Sequence, residues 1–314
     1  MTQTSSPVIA SKRSESRFAA FVELTKPRIM SLLLITCIAS MICAAQGLPD
    51  AQVLLFTAIG LALSSGGASA LNHWLDRDLD ARMTRTQLRP VVTGVVSPRA
   101  AALFGITLMA ASLVLLWVTV RPLTALLALS GGAFYVVGYT LVLKRTTVHN
   151  IVIGGAAGAV PPLVGWSAVT GDIGVLAWVL FGIVFLWTPP HFWALALLIR
   201  DDYARAGVPM LPVVSGDAVT VRQVWWYTVV LSACTAVPAV TGDLGAIWVA
   251  GMVVLNAWIL LRAWQLRSTV LAAPDPARAV VPGNAAHRAA RQMFFTSMIW
   301  LALVFALALV DRLL

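Results

Sequence analysis

Residues 71–94 read LNHWLDRDLDARMTRTQLRPVVTG and bring a dense group of charges into an otherwise strongly apolar chain. On a helix, Asn72, Asp76 and Asp80 share one face, because each lies about 40° round from the last, whereas Asp78 falls on the opposite side. The two carboxylates of the shared face are then roughly 6 Å apart along the helix axis. At this separation both can hold one or two hard cations.

Three arginines, Arg82, Arg85 and Arg89, follow the acidic residues. Guanidinium groups pair well with phosphate oxygens, and magnesium, which keeps several waters, is commonly completed by substrate phosphates. The stretch therefore predicts a site for magnesium and a phosphorylated substrate, with His73 near the same face. The alternative is a solvated loop in which Asp and Arg form pairs that support a helix.

The composition indicates a polytopic membrane protein. Of the 314 residues, 59% are hydrophobic and 11% are charged, which is far from the soluble globular range. Unbroken apolar runs long enough to cross a core of about 30 Å exclude a β-barrel. We therefore expect an all-α fold with about nine transmembrane helices around a central cavity. The runs are 29–46, 52–71, 100–120, 123–143, 151–169, 174–199, 223–241, 244–265 and 293–310.

The basic residues favour one orientation in the membrane. Twenty of the 22 Lys and Arg residues lie before span 1 or in the loops after spans 2, 4, 6 and 8, leaving only Arg121 and Arg312 for the other side. By the positive-inside rule, the N-terminus and the charged loops are cytoplasmic, and the C-terminus, after an odd number of spans, is outside the cell (inner) membrane. The net charge of +9 would attract anionic lipid and anionic substrates; no nucleic-acid module accompanies it.

The chain is expected to form a tail and one domain. Residues 1–25 are polar and Ser-rich, which predicts a cytoplasmic tail that is disordered in part. Residues 26–314 are expected to form a single transmembrane domain. Its first span resembles the start of a signal peptide but lacks a persuasive cleavage site, so we interpret it as a retained helix.

Small residues and prolines interrupt several spans. The small residues at 64–69 end span 2 and predict close packing of helices in lipid. Pro161-Pro162 in span 5 and Pro189-Pro190 in span 6 predict a bend or break, which is tolerated at membrane depth where protein or a cavity covers the backbone. His191 follows the second proline pair. A histidine is costly to place in lipid, so we expect it to face a cavity, the alternative being a satisfied structural histidine.

Two further groups of polar residues lie at the ends of spans. Tyr135 and Tyr139 share a face of span 4, which ends at Lys144-Arg145. These basic residues either snorkel beside an aromatic belt or hold a phosphate. Span 6 is followed by a second acidic cluster, Asp201-Asp202-Tyr203, with Arg205 beyond it. Because spans 2 and 6 are four helices apart, both acidic loops are expected at the same membrane face, each presented by a four-helix unit to a shared cavity.

The motif Asn72-x-x-x-Asp76-x-x-x-Asp80 after a span resembles the first aspartate motif of the UbiA superfamily of intramembrane prenyltransferases. Further stretches resemble the branch of that superfamily that farnesylates haem. Many members have D-x-x-x-D in the second loop, whereas Arg205 stands four residues after Asp201, so the metal ligands of that loop remain open. The further stretches are LTKPRIM at 24–30, YTLVLKR at 139–145, NIVIGGAAGAVPPLVGW at 150–166, TPPHFWALAL at 188–197 and DDYARAGVPMLPVV at 201–214.

The resemblance implies a reaction and a set of site residues. It implies transfer of the farnesyl group of farnesyl diphosphate to a vinyl group of haem B, with water added and diphosphate released, in a magnesium-dependent reaction in which haem B is a substrate rather than a cofactor. Membrane lipid surrounds the site, and haem A synthase or oxidase assembly proteins are candidate partners. The implied catalytic residues are Asn72, Asp76, Asp80 and Asp202, with Mg²⁺ on the three aspartates. The implied diphosphate-binding residues are Arg85, Arg89, Lys144 and Arg205, and the candidates for contact with haem or the pocket are His73, Tyr139, His191 and Tyr203.

Other functions share some of these features. A UbiA-type enzyme that uses a quinone precursor or a chlorophyllide would share the aspartate motif but not TPPHFW or AGVPMLP. A haem transporter or assembly factor would explain nine spans and broken helices, yet it would not need a magnesium-diphosphate site. CDP-alcohol phosphotransferases use aspartates near the membrane surface, but their D-G-x-x-A-R opening is absent from this sequence.

Overall fold

A computed structural model of the protein describes residues 16–314, and the regular structure in this range is entirely helical. Nine of the described helices are long and apolar enough to cross a membrane, which confirms the predicted all-α architecture. Two helices, α7 and α9, begin well before the predicted apolar runs, because polar and charged residues interrupt the apolar sequence of their N-terminal turns. The nine are α1 (Pro27–Ala45), α2 (Ala51–Leu75), α3 (Pro98–Thr119), α4 (Pro122–Thr146), α5 (Asn150–Thr170), α6 (Val175–Leu198), α7 (Leu211–Val240), α8 (Ala246–Leu271) and α9 (Ala285–Leu313).

The long helices form a closed ring. Each packs against the next one in the chain, and α9 packs back against α1. Further contacts join helices that are not consecutive, and the most extensive of these run from α1 to the second half of α5 and from α6 to α9. Helices α2 and α3 approach each other closely: a Cβ atom on Gly67 would lie 2.6 Å from the carbonyl oxygen of Gly105. The small residues at the end of α2 thus allow the close packing that the sequence predicts.

The two proline pairs act differently. Pro161 and Pro162 divide α5 into two helices that meet at Val160, as predicted. For Pro189 and Pro190 the sequence predicts a bend or a break, and the break does not occur, because both prolines lie inside one continuous helix. Proline removes a backbone donor, but a membrane helix tolerates this where protein covers the freed carbonyl groups. Both prolines of α6 are buried among neighbouring helices.

The second half of α4 is a π-helix, which covers Phe134–Leu143. The wider turn of this helix brings the Thr140 hydroxyl close to the carbonyl oxygen of Tyr135, five residues earlier. The hydroxyl donates a hydrogen bond to that oxygen at 2.9 Å. Tyr135 and Tyr139 stack with their ring centroids 5.6 Å apart, so they share a face as predicted. Single-turn π segments are often found at functional sites, and this longer one lies beside the first acidic loop.

Short helices complete the described chain. They are Arg17–Leu24, Arg77–Asp80, Arg200–Ala206 and the 3₁₀ turn Pro276–Arg278. The first falls within the expected tail of residues 1–25, where its Phe21 ring packs edge-on against Phe104 at 4.9 Å. Residues 17–24 of that segment therefore form a helix, while residues 1–15 lie outside the described part of the chain.

The basic segments meet at one end of the ring. Lys26 bonds to Asn72, Lys144 to Asp76, and Arg205 to Thr84. These contacts bring together the start of α1 and the loops after α2, α4 and α6. At the other end, Arg312 donates to the carbonyl oxygen of Asp243 at 2.8 Å. Both acidic loops therefore lie at the same end of the bundle, as the sequence predicts.

Candidate active site

The first acidic loop begins where α2 ends. Asp76 leaves helical geometry, with φ −89° and ψ 4°, but its N–H still donates to the carbonyl oxygen of Asn72 at 2.9 Å, and that of Asp80 donates to Asp76 at 2.8 Å. The helical register therefore continues through the break. As the four-residue spacing predicts, Asn72, Asp76 and Asp80 are buried, whereas the Asp78 side chain is 51% exposed.

Asn72 lies at the centre of a buried polar network. Its Oδ1 accepts a hydrogen bond from Lys26 Nζ at 2.8 Å. Its Nδ2 donates to Asp76 Oδ2 at 2.7 Å and to Thr140 Oγ1 at 3.1 Å. Lys144 Nζ donates to the same Asp76 oxygen at 2.5 Å. Sequence reasoning used Lys26 only as an orientation charge and missed Thr140; the one available signal was that LTKPR and YTLVLKR belong to the stretches that carry the family resemblance.

Each buried aspartate pairs with a basic group. Arg89 Nη1 lies 2.6 Å from Asp80 Oδ2, and Lys144 Nζ lies 2.5 Å from Asp76 Oδ2. Arg145 forms a two-bond pair with the exposed Asp78, at 2.8 and 2.9 Å. The hydrogen bonds from Arg145 hold the pKa of the Asp78 carboxyl low, at about 2. Asp78 thus belongs to a surface ion pair, on the side of the helix away from the buried network.

One carboxylate oxygen in this network lacks a hydrogen bond. Asp76 Oδ1 is buried and has no hydrogen-bond partner among the described residues; Arg145 Nη2 lies 3.6 Å from it. A buried acceptor without a partner is costly and is uncommon in native structures. An anionic oxygen with free lone pairs is also the kind of ligand that magnesium prefers. The residues present therefore fit a hard cation.

The second acidic loop approaches the first through Arg205. Arg205 Nη2 donates to Thr84 Oγ1 at 2.9 Å and is also paired with Asp202. Within residues 16–314, no three His, Cys, Asp or Glu side chains are close enough to share a metal ion. Asp76, Asp80 and Asp202 are thus not assembled into one ligand set, because each is held by its own basic partner. Magnesium needs only one or two carboxylates when substrate phosphates complete its shell.

The predicted diphosphate-binding residues are in two environments. Arg89, Lys144 and Arg205 are bound to carboxylates, as described above, whereas Arg85 is exposed. Lys26 adds a further cation that the sequence did not assign to the site. Burial lowers the pKa of Lys26 well below its usual value, and the nearby charges of Arg89 and Lys144 lower it further. The loop after α2 is therefore surrounded by converging positive charge.

The two tyrosines predicted for the pocket border this positive charge. Tyr139 stacks on Tyr135 in the π-helix, and its ring fills the space beside Gly154 that a Cβ atom would occupy. Tyr203 is buried. Burial raises the pKa of its hydroxyl, and the charges of Arg85 and Arg89 partly offset the rise. The second loop thus places an aromatic hydroxyl near the arginines of the first.

The two predicted histidines differ. His73 is buried, and neither ring nitrogen has a hydrogen-bond partner among the described residues. His191, expected to face a cavity, packs instead between Trp187 and Phe294, with centroid distances of 4.3 and 4.7 Å. Its Nδ1 is 2.8 Å from Ser297 Oγ. A histidine whose ring is stacked and hydrogen-bonded can be buried without a cavity, so these contacts join α6 to α9.

The sequence of this chain matches a known protein family. The UbiA prenyltransferase family profile matches residues 33–280. The chain belongs to the UbiA prenyltransferase family. A relative from Gloeobacter violaceus named protoheme IX farnesyltransferase is 47% identical over 96% of this chain and 95% of its own. One of the same name from Deinococcus radiodurans is 44% identical over 93% and 92%. A Thermus thermophilus protein of that name is 47% identical, and the match covers 93% of this chain but only 46% of that protein.

Solved structures show the same UbiA fold. A structure reported for digeranylgeranylglyceryl phosphate synthase superposes with a TM-score of 0.76 over 95% of this chain and 99% of that one, at 15% identity. A UbiA homologue from Archaeoglobus fulgidus bound to GPP and Mg²⁺ gives 0.66 over 92% and 99%, at 18% identity. At such identities the superpositions establish the fold alone, and the roles of individual residues rest on the chemistry of this chain.

Proposed function

We propose that this UbiA-family protein transfers the farnesyl group of farnesyl diphosphate to a vinyl group of haem B, with addition of water and release of diphosphate. The observation that carries the proposal is the buried face of Asn72, Asp76 and Asp80, surrounded by cationic side chains at one end of nine membrane helices. The names of the Gloeobacter and Deinococcus relatives support the acceptor and the prenyl donor. The GPP- and Mg²⁺-bound structure supports a prenyl diphosphate with a divalent cation.

The difficult step is ionisation of the allylic C–O bond. Fixed positive charge aimed at the leaving diphosphate lowers the barrier, most of all where water is excluded. Four basic side chains of the two loops and α4 would supply this charge: Arg85, Arg89, Lys144 and Arg205. Asp76 and Asp80, with Asp202 from the second loop, would hold magnesium, which when bound neutralises charge on the diphosphate.

The network around Asn72 keeps these groups in place before substrate arrives. Lys26 fixes the amide oxygen of Asn72, so the amide nitrogen faces Asp76. Lys144 and Arg89 neutralise the buried aspartates while no other cation is bound. With a divalent cation held at the aspartates, Lys144 and Arg89 would be free to turn to phosphate oxygens. Lys144 and Arg89 would thus each have a carboxylate partner in the free protein and a phosphate partner in the complex with substrate.

The surrounding helices suit the rest of the reaction. The farnesyl tail is apolar and can lie among the spans, open to lipid. Water must be limited near the allylic carbocation, and the buried position of the first acidic loop serves this need. Tyr139, Tyr203 and His73 border the same region and are proposed to contact haem or the prenyl chain. His191 lies in the α6–α9 stack, so a role in haem binding would require that stack to open.

We also propose an orientation. The basic end of the ring, with both acidic loops, faces the cytoplasm of a cell membrane, by the positive-inside rule. Reporter fusions after Arg85 and Arg205 should then report cytoplasm, and one at Leu314 the outside. A cytoplasmic C-terminus would contradict the orientation or show that one helix does not cross.

One assay tests the reaction. Membranes that contain the protein are incubated with haem B, farnesyl diphosphate and magnesium, and the product is identified by mass. We expect a farnesylated, hydrated haem that disappears on complete chelation and returns when magnesium is restored. Parallel reactions with a quinone precursor or chlorophyllide should give no prenylated product. Product formation only with these acceptors would reject haem, and activity that survives chelation would remove the metal.

A further inference from the structure

The loop between α8 and α9, residues 272–284, is fastened to the second acidic loop through one buried carboxylate. Asp217 lies near the start of α7, and its side chain is fully buried. Arg200 Nη1 donates to both of its oxygens, at 2.8 and 2.9 Å. The backbone N–H of Val280 also donates to Oδ2, at 2.9 Å. One side chain thus joins three segments that are separated in the sequence.

A second contact fastens the same loop beside Asp217. Gly216 has φ +77° and interrupts the helical geometry of α7. A Cβ atom at this position would lie 3.1 Å from the carbonyl oxygen of Ala277. Both the positive φ and the close approach favour glycine. The 272–284 loop therefore lies against the backbone of α7 at the position next to the buried carboxylate.

The side-chain partner of Asp217, Arg200, belongs to the second acidic loop. Arg200 is the first residue of the short helix Arg200–Ala206, which carries Asp202 and Tyr203. Its side chain is only 13% exposed, and its Nε lies 3.5 Å from Asp201 Oδ1. A charge pair shielded from water is screened little by salt, and loss of one member leaves an uncompensated buried charge. The position of the short helix thus depends on Asp217.

We propose that Asp217 is a positioning residue for the second acidic loop, and that the 272–284 loop is a strap that keeps Asp217 in place. Through Arg200, Asp217 fixes the helix on which Asp202 and Tyr203 are carried. It acts through these residues and does not itself touch substrate. The inference rests on the proposed function, because Asp202 is expected to act at the diphosphate. Spans 7 to 9, which carry little recognisable chemistry in the sequence, thereby gain a role at the site.

The test compares the two substrates in the full-length protein in lipid nanodiscs. Asp217→Asn should raise the KM for farnesyl diphosphate by about 10-fold, the lower end of the range for residues that support metal ligands, and leave the KM for haem B nearly unchanged. A spin label on Ala204→Cys, an exposed position of the short helix, should gain mobility in the same variant. Cys37 and Cys43 are buried, and replacing the half-buried Cys234 by Ser gives an unlabelled background.

Asp275→Asn is the matched control, because it makes the same chemical change within the strap. Asp275 Oδ1 accepts a hydrogen bond from the Ala277 N–H at 3.1 Å, which an amide oxygen can also accept, so both readouts should stay at wild-type values. Gly216→Ala disturbs the strap from the other side without changing charge and should shift both readouts as Asp217→Asn does. Arg200→Gln combined with Asp217→Asn should do no more harm than the single change, since neither charge is then left unpaired.

A merely structural role would produce a different pattern. If Asp217→Asn lowers the amount of folded protein but leaves label mobility and both KM values unchanged in the folded fraction, the proposal is overturned. Equal shifts of the two KM values would also overturn it. Should Asp217→Asn fail to insert, Gly216→Ala and Arg200→Lys decide by the same readouts. A wild-type protein that makes no farnesylated haem, but whose label responds as expected, would reject the proposed function and leave the strap established.

Discussion

The two acidic loops lie at the same end of the molecule but differ in their surroundings. The first continues α2, and the side chains of Asp76 and Asp80 are 0% and 3% exposed. The second is carried by a seven-residue helix, where Asp201 is 75% and Asp202 14% exposed. The first loop is therefore shaped by the ends of membrane helices, whereas the second depends on two arginine contacts and the strap behind it.

This difference bears on how the site works. Charges in low-dielectric surroundings interact more strongly than charges in water, and a buried charge that loses its partner is more costly. We therefore expect the first loop to be preorganised and to supply most of the binding of the metal and diphosphate. The second loop, being more exposed, is expected to complete the site once the substrate is bound. Single substitutions in the two loops can test this division.

The largest effect is expected at Asp76. Asp76→Asn keeps the shape of the side chain but removes an anionic ligand and leaves Lys144 without its buried partner. Activity should fall by at least about 10–100-fold, the loss typical of even supporting residues at metal sites, and high magnesium should restore part of it. The measurement is farnesylated haem formed per mole of inserted protein. Wild-type activity in this variant would show that the buried face does not bind the metal or the diphosphate.

A smaller effect is expected in the second loop. Asp202→Asn should reduce activity by about 10-fold, near the lower end of the same range, since the first loop would still hold the cation. Asp201→Asn is the matched control, because this neighbouring side chain is 75% exposed and its nearest cation lies 3.5 Å away. Its activity should remain close to that of the wild type. A defect in Asp202→Asn as large as that in Asp76→Asn would remove the proposed difference between the loops.

Much of this architecture follows from the sequence for clear physical reasons. Lipid leaves the backbone no partner but itself, so nine apolar runs had to become helices. The four-residue spacing of Asn72, Asp76 and Asp80 placed them on one face because the helical period requires it. The same helical period predicts that Asp78 lies on the opposite side of the helix, and its side chain is half exposed in the structure.

The pairings could not be predicted in the same way. Lys26 meets Asn72, and Val280 meets Asp217, only because particular helices are neighbours in the ring. No local sequence pattern predicts a contact between residues so far apart in the chain. The surroundings of His191 also differ from the prediction: its place beside two prolines suggested a cavity, but Ser297 on α9 forms the hydrogen bond that allows the ring to be buried. Long-range contacts of this kind depend on packing.

The smallest effect is expected at Asp78, which shares its loop with Asp76 but is half exposed. Asp78→Asn removes the surface pair with Arg145, which is worth about 0–1 kcal/mol. Activity at neutral pH should therefore stay within about fivefold of the wild type, since a tenfold change would need about 1.4 kcal/mol. The pKa of Asp78 is lowered to about 2 in the folded protein, below the value of about 3.9 for an unperturbed Asp. The stabilisation from this ion pair is therefore fully present above about pH 4 and is lost as the pH falls towards 2.

Thermal unfolding of purified protein should show a slightly lower midpoint for Asp78→Asn than for the wild type at pH 7, and this gap should shrink as the pH approaches 2. A gap that widens on acidification, or a larger loss of activity than in Asp76→Asn, would mean that the exposed side of this helix, rather than the buried one, carries the function.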